Sequence, residues 1–136
     1  MNRWIYPLAL GFATSGMATH AHHSISSVYD SSQQVTIEGR VTEFRFINPH
    51  PLLIIEASAD STTPQSWQLE MDNRFELVEI GITPDTFKPG DRVVATGSLG
   101  RTQAQSLYLR RLDRPVDGFR YEQIGGTPRI NARPRG

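Results

Sequence analysis

From Val35 the chain alternates, with Val35, Ile37, Gly39 and Val41 on one face and Thr36, Glu38, Arg40 and Thr42 on the other. This is the period of a half-buried strand. The apolar parity then slips by one and resumes at Phe44 and Phe46. A slip inside one long strand is what a β-bulge produces, and Gly39 close by eases coiling. A long, bent first strand is how a small barrel turns its corner. Asn48-Pro49-His50-Pro51 ends the run, because proline cannot donate to a ladder and restricts the residue before it. Leu52 to Ala57 is apolar on both faces and reads as a central strand. Trp67, Leu69 and Met71 alternate with polar neighbours and predict a third.

Between Asp72 and Gly81 the period changes. Phe75, Val78 and Ile82 fall at helical spacing, Asp72 or Asn73 suits the N-cap, and Gly81 suits the end. Thr83-Pro84-Asp85 looks like a second short helical start, with proline at its first position. Lys88-Pro89-Gly90-Asp91 is a turn. Arg92 to Leu99 is a fourth strand, with Val93 and Ala95 facing in, and Ser106 to Leu112 a fifth. Three strands, a helix and two strands is the order of an OB-like Greek-key barrel, with its single short helix between strands three and four. An open β-sandwich is the alternative. After Arg114-Pro115 the composition turns to Gly, Pro and Arg, which predicts a partly ordered or disordered tail over 115–136. The barrel is expected over 34–114, preceded by a polar, extended arm at 22–33.

Length changes the picture little: 136 residues make one domain with a modest core. Charge and cysteine content exclude more. Fourteen basic residues balance fourteen acidic ones, which argues against a sequence-independent hold on nucleic acid. With no cysteine, thiolate metal sites, a cysteine nucleophile and a lipobox are ruled out. Met1-Asn2-Arg3 followed by the apolar run Trp4 to Ala13 and small residues up to Thr19-His20-Ala21 reads as a secretory signal over 1–21. An N-terminal membrane anchor is the competing reading. Cleavage after Ala21 also removes Arg3, leaving the acidic residues one in excess. The product is expected in the periplasm or secreted, with no membrane span.

Ala21-His22-His23-Ser24, Tyr29-Asp30, Asn48-Pro49-His50 and Lys88-Pro89-Gly90-Asp91 occur in that order. The ordered set resembles a family of small exported bacterial proteins of unknown function whose members read AHHS, YD, NPH, a tryptophan strand and KPGD. The resemblance covers about His22 to Leu112 and implies an exported β-barrel domain. It supplies no reaction. The chain departs from the pattern around Asp72–Ile82, and the arginine-rich tail is outside it.

The chemistry with most support in the residues is a metal site on His22, His23 and His50, since imidazole suits Cu, Zn and Ni. Cleavage after Ala21 makes His22 the first residue. Its α-amine and imidazole then chelate one Cu(II), with His23 or His50 completing a nitrogen-rich set and Tyr29 or Asp30 supplying an oxygen. Solvated histidines beside a cleavage site, with His50 only bonding its own turn, are the structural alternative. Glu56, Glu70 and Asp72 show no acid–base pairing, and no serine has a nucleophile context, so no catalytic residue emerges. Trp67, Phe44 and Phe46 read as core residues sooner than as a base-stacking face. The expectation is a periplasmic binding module with copper as cofactor. A metal-free accessory subunit for another envelope protein is the alternative, and an enzyme the least favoured class.

Overall fold

A computed structural model describes residues 21–58 and 62–131, with side chains from Ile25 onward. The signal-peptide reading of 1–21 therefore lies almost wholly outside the described residues. The chain is mainly β. Seven strands form one sheet in the order β3-β2-β1-β4-β5-β6-β7: β1 Tyr29–Arg45, β2 Leu52–Ala57, β3 Gln65–Glu70, β4 Arg92–Gly100, β5 Ser106–Arg114, β6 Phe119–Ile124 and β7 Thr127–Ile130. Consecutive neighbours run antiparallel. In addition β3 pairs in parallel with β5, Leu69 opposite Leu107, so the pairings of the first five strands return to their starting point.

The long first strand behaves as its pattern predicts. Ile37 and Val41 are buried, and the register against β2 shifts between Val41 and Glu43, where the apolar parity slips. A second shift, against β4, falls between Asp30 and Gln34. At Gly39 any Cβ would overlap the Glu56 carbonyl of β2, so only glycine permits this close strand approach. Leu53 and Ile55 of β2, Leu69 of β3, Val93 and Ala95 of β4 and Leu107 and Leu109 of β5 have no exposed surface and fill the interior. Each large one of these contributes about 1.5–3 kcal/mol through burial.

Three expectations are corrected. Among the described residues the strands number seven, not five, because the supposed tail carries a hairpin. Phe119, Tyr121 and Gln123 alternate inward on β6, and Gly125 and Gly126, at φ 61° and 86°, make the two-residue turn into β7. The arm is not extended at its start: Ala21–Val28 is a helix, α1. Arg101 holds its end, donating from its backbone N–H to the Val28 carbonyl at 2.8 Å and from Nε to the Ser26 carbonyl at 3.0 Å. The helix between β3 and β4, α2, is confined to Arg74–Glu79. Its cap is Asn73, whose side-chain oxygen accepts from the Glu76 N–H at 3.0 Å. Its buried residue is Leu77, while Phe75 and Val78 face outward. Thr83-Pro84-Asp85 forms a single turn closed by the Thr86 N–H on the Thr83 carbonyl. Among the described residues no helix is long and apolar enough to cross a membrane.

Candidate functional site

A cavity of about 380 Å³ opens where several segments meet. Ile25 and Ser26 of α1 and Tyr29 of β1 wall one side. His50, from the bend after β1, stands beside Asp72, Asn73 and Glu76 at the entry to α2. Tyr108 and Arg110 of β5 and Gln123 of β6 line much of the remainder. Tyr108 and Arg110 project from the face of β5 opposite the core residues Leu107 and Leu109, because side chains alternate along a strand.

The peptide bond between Asn48 and Pro49 is cis, and the Pro49 carbonyl accepts from the Arg74 N–H at 2.9 Å while that of Pro51 accepts from the Met71 N–H at 2.9 Å. The bend is thereby stitched to the end of β3. His50 Nδ1 lies 2.9 Å from the Met71 carbonyl. A carbonyl can only accept, so Nδ1 carries the proton, and the ring nitrogen with a lone pair to offer a ligand is Nε2. Glu70 joins two of the residues singled out in the sequence. Its Oε1 is 3.8 Å from His50 Nδ1, and its Oε2 accepts from the Tyr29 hydroxyl at 2.7 Å. Burial, and then the Glu70 carboxylate, push the Tyr29 phenol well above its ordinary range, so it stays a protonated donor.

Asp30, next along β1, is committed elsewhere. It accepts from the Ser32 hydroxyl at 2.7 Å and the Ser32 N–H at 3.0 Å, with Arg101 at 3.4 Å. Those two Ser32 bonds hold its carboxyl below the usual range. The structure thus brings Tyr29 and His50 to one cavity and does not bring Asp30 there. His22 and His23 lie in α1, one turn or less before Ile25 and Ser26. Their side chains fall outside the described residues. Among the described residues no group of three His, Asp or Glu side chains is placed to hold a metal ion.

The rest of the lining was not read from the sequence as a site. Gln123 Nε2 donates to Asp72 Oδ2 at 2.6 Å and reaches the Tyr108 hydroxyl oxygen at 2.9 Å, while its own carbonyl oxygen is buried without a partner among the described residues. Burial raises the Tyr108 phenol to about 12. Burial, and then the neighbouring Asp72 charge, raise the Glu76 carboxyl above its usual range. The Arg110 guanidinium lies 4.9 Å from the centre of the Tyr108 ring.

Residues 11–107 match a family of unknown function, DUF6152. Tyr108, Arg110 and Gln123 lie beyond the matched span. No curated protein and no solved structure matches the chain.

Proposed function

The chain belongs to the family of unknown function DUF6152, and we propose that it is a small exported binding protein, an OB-like barrel in plan, whose histidines take up a transition metal, copper first. The barrel reading rests on the pairing of β3 with β5, which joins the first five strands into one circuit. Export rests on the charged start and the short apolar run before Ala21.

One observation carries the metal reading: the bond from His50 Nδ1 to the Met71 carbonyl, with Glu70 behind it. Imidazoles that ligate metals are oriented by a backbone carbonyl or carboxylate on the other ring nitrogen, and His50 has both arrangements at hand. The lone pair of Nε2 belongs to a residue lining the cavity that Ile25 and Ser26 of α1 also wall. His22, one helical turn earlier, is the residue that signal cleavage would turn into an amine–imidazole chelate. Of the two oxygen donors in the sequence reading, Tyr29 is the one that lines the cavity, and its hydroxyl proton is held by Glu70.

The test is the intact mass of the protein purified from the periplasm, before and after one equivalent of Cu(II). A chain starting at His22 and retaining one copper is expected, with affinity falling at least about tenfold in His50→Ala. Copper affinity unchanged in both His50→Ala and His22→Ala would remove the reading. A metal-free accessory role is the second reading, and Phe75 and Val78 favour it: they stand 71 % and 50 % exposed, one turn apart on α2. Copurification of an envelope protein that is lost in Phe75→Ser would select that role.

A further inference from the structure

Beyond any metal, the same cavity presents opposite charges that do not touch. Arg111, Arg114 and Arg120 each hold a carboxylate within 3 Å. Arg110, just before them in sequence and lining the cavity, has no carboxylate or carbonyl partner among the described residues; its contact is the Tyr108 ring. Asp72 and Glu76, which line the same cavity, are carboxyls at one helix entry that hydrogen-bond to each other, and neither forms an ion pair among the described residues. Gln123 lies between. Its amide nitrogen is fixed by Asp72 and Tyr108, which turns the carbonyl oxygen into a buried acceptor lacking a donor among the described residues. Gln123 is 7 % exposed, so this orphan is not relieved by bulk water.

We propose that the cavity binds a small zwitterion of the α-amino acid type, with its carboxylate on the Arg110 guanidinium and its ammonium toward Asp72, Glu76 and the Gln123 carbonyl. Each alternative ligand class leaves something unmatched. A simple anion satisfies Arg110, yet it sits among two carboxylates. A simple cation satisfies the carboxylates and leaves a half-buried guanidinium with its donors unused. A molecule carrying both charges a few ångströms apart pairs each end with its complement. A volume of about 380 Å³ accommodates an amino acid with room for bridging water. Tyr108 sets the distance by holding Arg110 against its face and Gln123 at its hydroxyl.

The experiment is an amide NMR titration of the whole protein in excess EDTA with glycine, acetate and methylammonium separately. Glycine, with so few atoms, should saturate in about the millimolar range and shift the amides of Arg110, Gln123 and Asn73. Its affinity should exceed that of acetate and of methylammonium by at least about tenfold. Arg110→Gln should weaken glycine and acetate about tenfold and leave methylammonium unchanged; Glu76→Gln should weaken glycine and methylammonium and spare acetate. A dispersed spectrum in each variant checks the fold. No saturable shift with glycine, glycine no tighter than acetate, or undiminished glycine binding in Arg110→Gln would each overturn the proposal. Copper is absent throughout, so this result and that of the copper titration are read independently.

Discussion

Arg114→Met should destabilise the protein by about 3 kcal/mol, although it exchanges a buried charge for an apolar side chain of similar length. The Arg114 side chain has no exposed surface. It donates to the Thr86 carbonyl at 2.6 Å, to Asp91 at 3.2 Å, and through Nε and Nη2 to Asp117 at 3.0 and 2.9 Å. The rings of Phe119 and Phe87 lie 4.8 and 5.8 Å from its guanidinium carbon. Its carboxylate partners decide the magnitude. Asp117 is 33 % exposed and can rehydrate once the cation is gone, whereas the Thr86 carbonyl loses its Arg114 donor and Asp91, at 10 % exposure, loses the cation while keeping the Lys88 N–H at 3.1 Å. A pair broken on one side costs about 3–5 kcal/mol, and the exposure of Asp117 puts this case at the low end.

Arg114→Ala should lose about 1–2 kcal/mol more, since the space beside the Phe87 and Phe119 rings then stays empty. Urea unfolding followed by tryptophan fluorescence measures both, with the slope checked for constancy. Against a total of about 5–15 kcal/mol for a domain, the effect is large enough to see. In a cycle with Asp91→Asn, the double variant should recover at least about 1 kcal/mol of the summed losses. Arg114→Met within about 0.5 kcal/mol of the parent, or no coupling to Asp91→Asn, would refute the account of Arg114 as the clamp of the β5–β6 corner.

Tyr29→Phe removes the hydroxyl that Glu70 accepts at 2.7 Å and should cost about 1–1.5 kcal/mol, seen as a lower Tm. For Glu76, a folded-state pKa above the unfolded one means its stabilising contribution is present below the unfolded value and lost as pH rises through the folded one. Glu76→Gln should therefore be more stable than the parent at pH 7, by about 0.2–0.5 kcal/mol for relief of a like-charge pair, and the gain should vanish in melts near pH 4. Gly39→Ala drives a Cβ into the Glu56 carbonyl and should cost about 1–3 kcal/mol by urea titration; an unchanged midpoint would mean β1 and β2 separate there at no cost.

Periodicity made the inner circuit of strands legible. The bulge after Val41, the Trp67–Leu69–Met71 strand and the Val93 and Ala95 positions all follow from alternation, because a strand with one face in the core has no other way to place its apolar residues. In the tail, composition and local pattern point in opposite directions. Gly125-Gly126 is a strong hairpin turn, and Phe119, Tyr121 and Gln123 alternate before it, so the local signal was present beneath a high Gly, Pro and Arg content. In α2, helical spacing pointed to Phe75 and Val78, yet six residues of helix bury Leu77 alone. His50 was legible as a residue held at a bend. Its partner, the Met71 carbonyl, was not, because no side-chain pattern encodes which backbone group a bend will meet.

The cavity itself could not have been read from any stretch, and the register of β5 on β6 shows why. Arg111 pairs with Glu122 and Arg114 with Phe119, and continuing that register by one residue sets Gln123 beside Arg110. A slip of a single residue would turn Gln123 to the other face and leave Asp72 and Tyr108 without their common donor. What holds the register is remote from the cavity: Arg114 at the far end of β5, tied to Asp117 in the β5–β6 turn and to Asp91 in the Lys88-Pro89-Gly90-Asp91 turn. The KPGD turn and the cavity thus belong to one mechanical unit. The turn supplies the carboxylate that fixes Arg114, Arg114 fixes the hairpin, and the hairpin delivers Gln123 to Asp72. An Asp91→Asn variant should for that reason disturb the Gln123 and Arg110 amide resonances as well as stability, whereas Gly39→Ala, acting on the β1–β2 pair, should lower stability and leave those resonances in place.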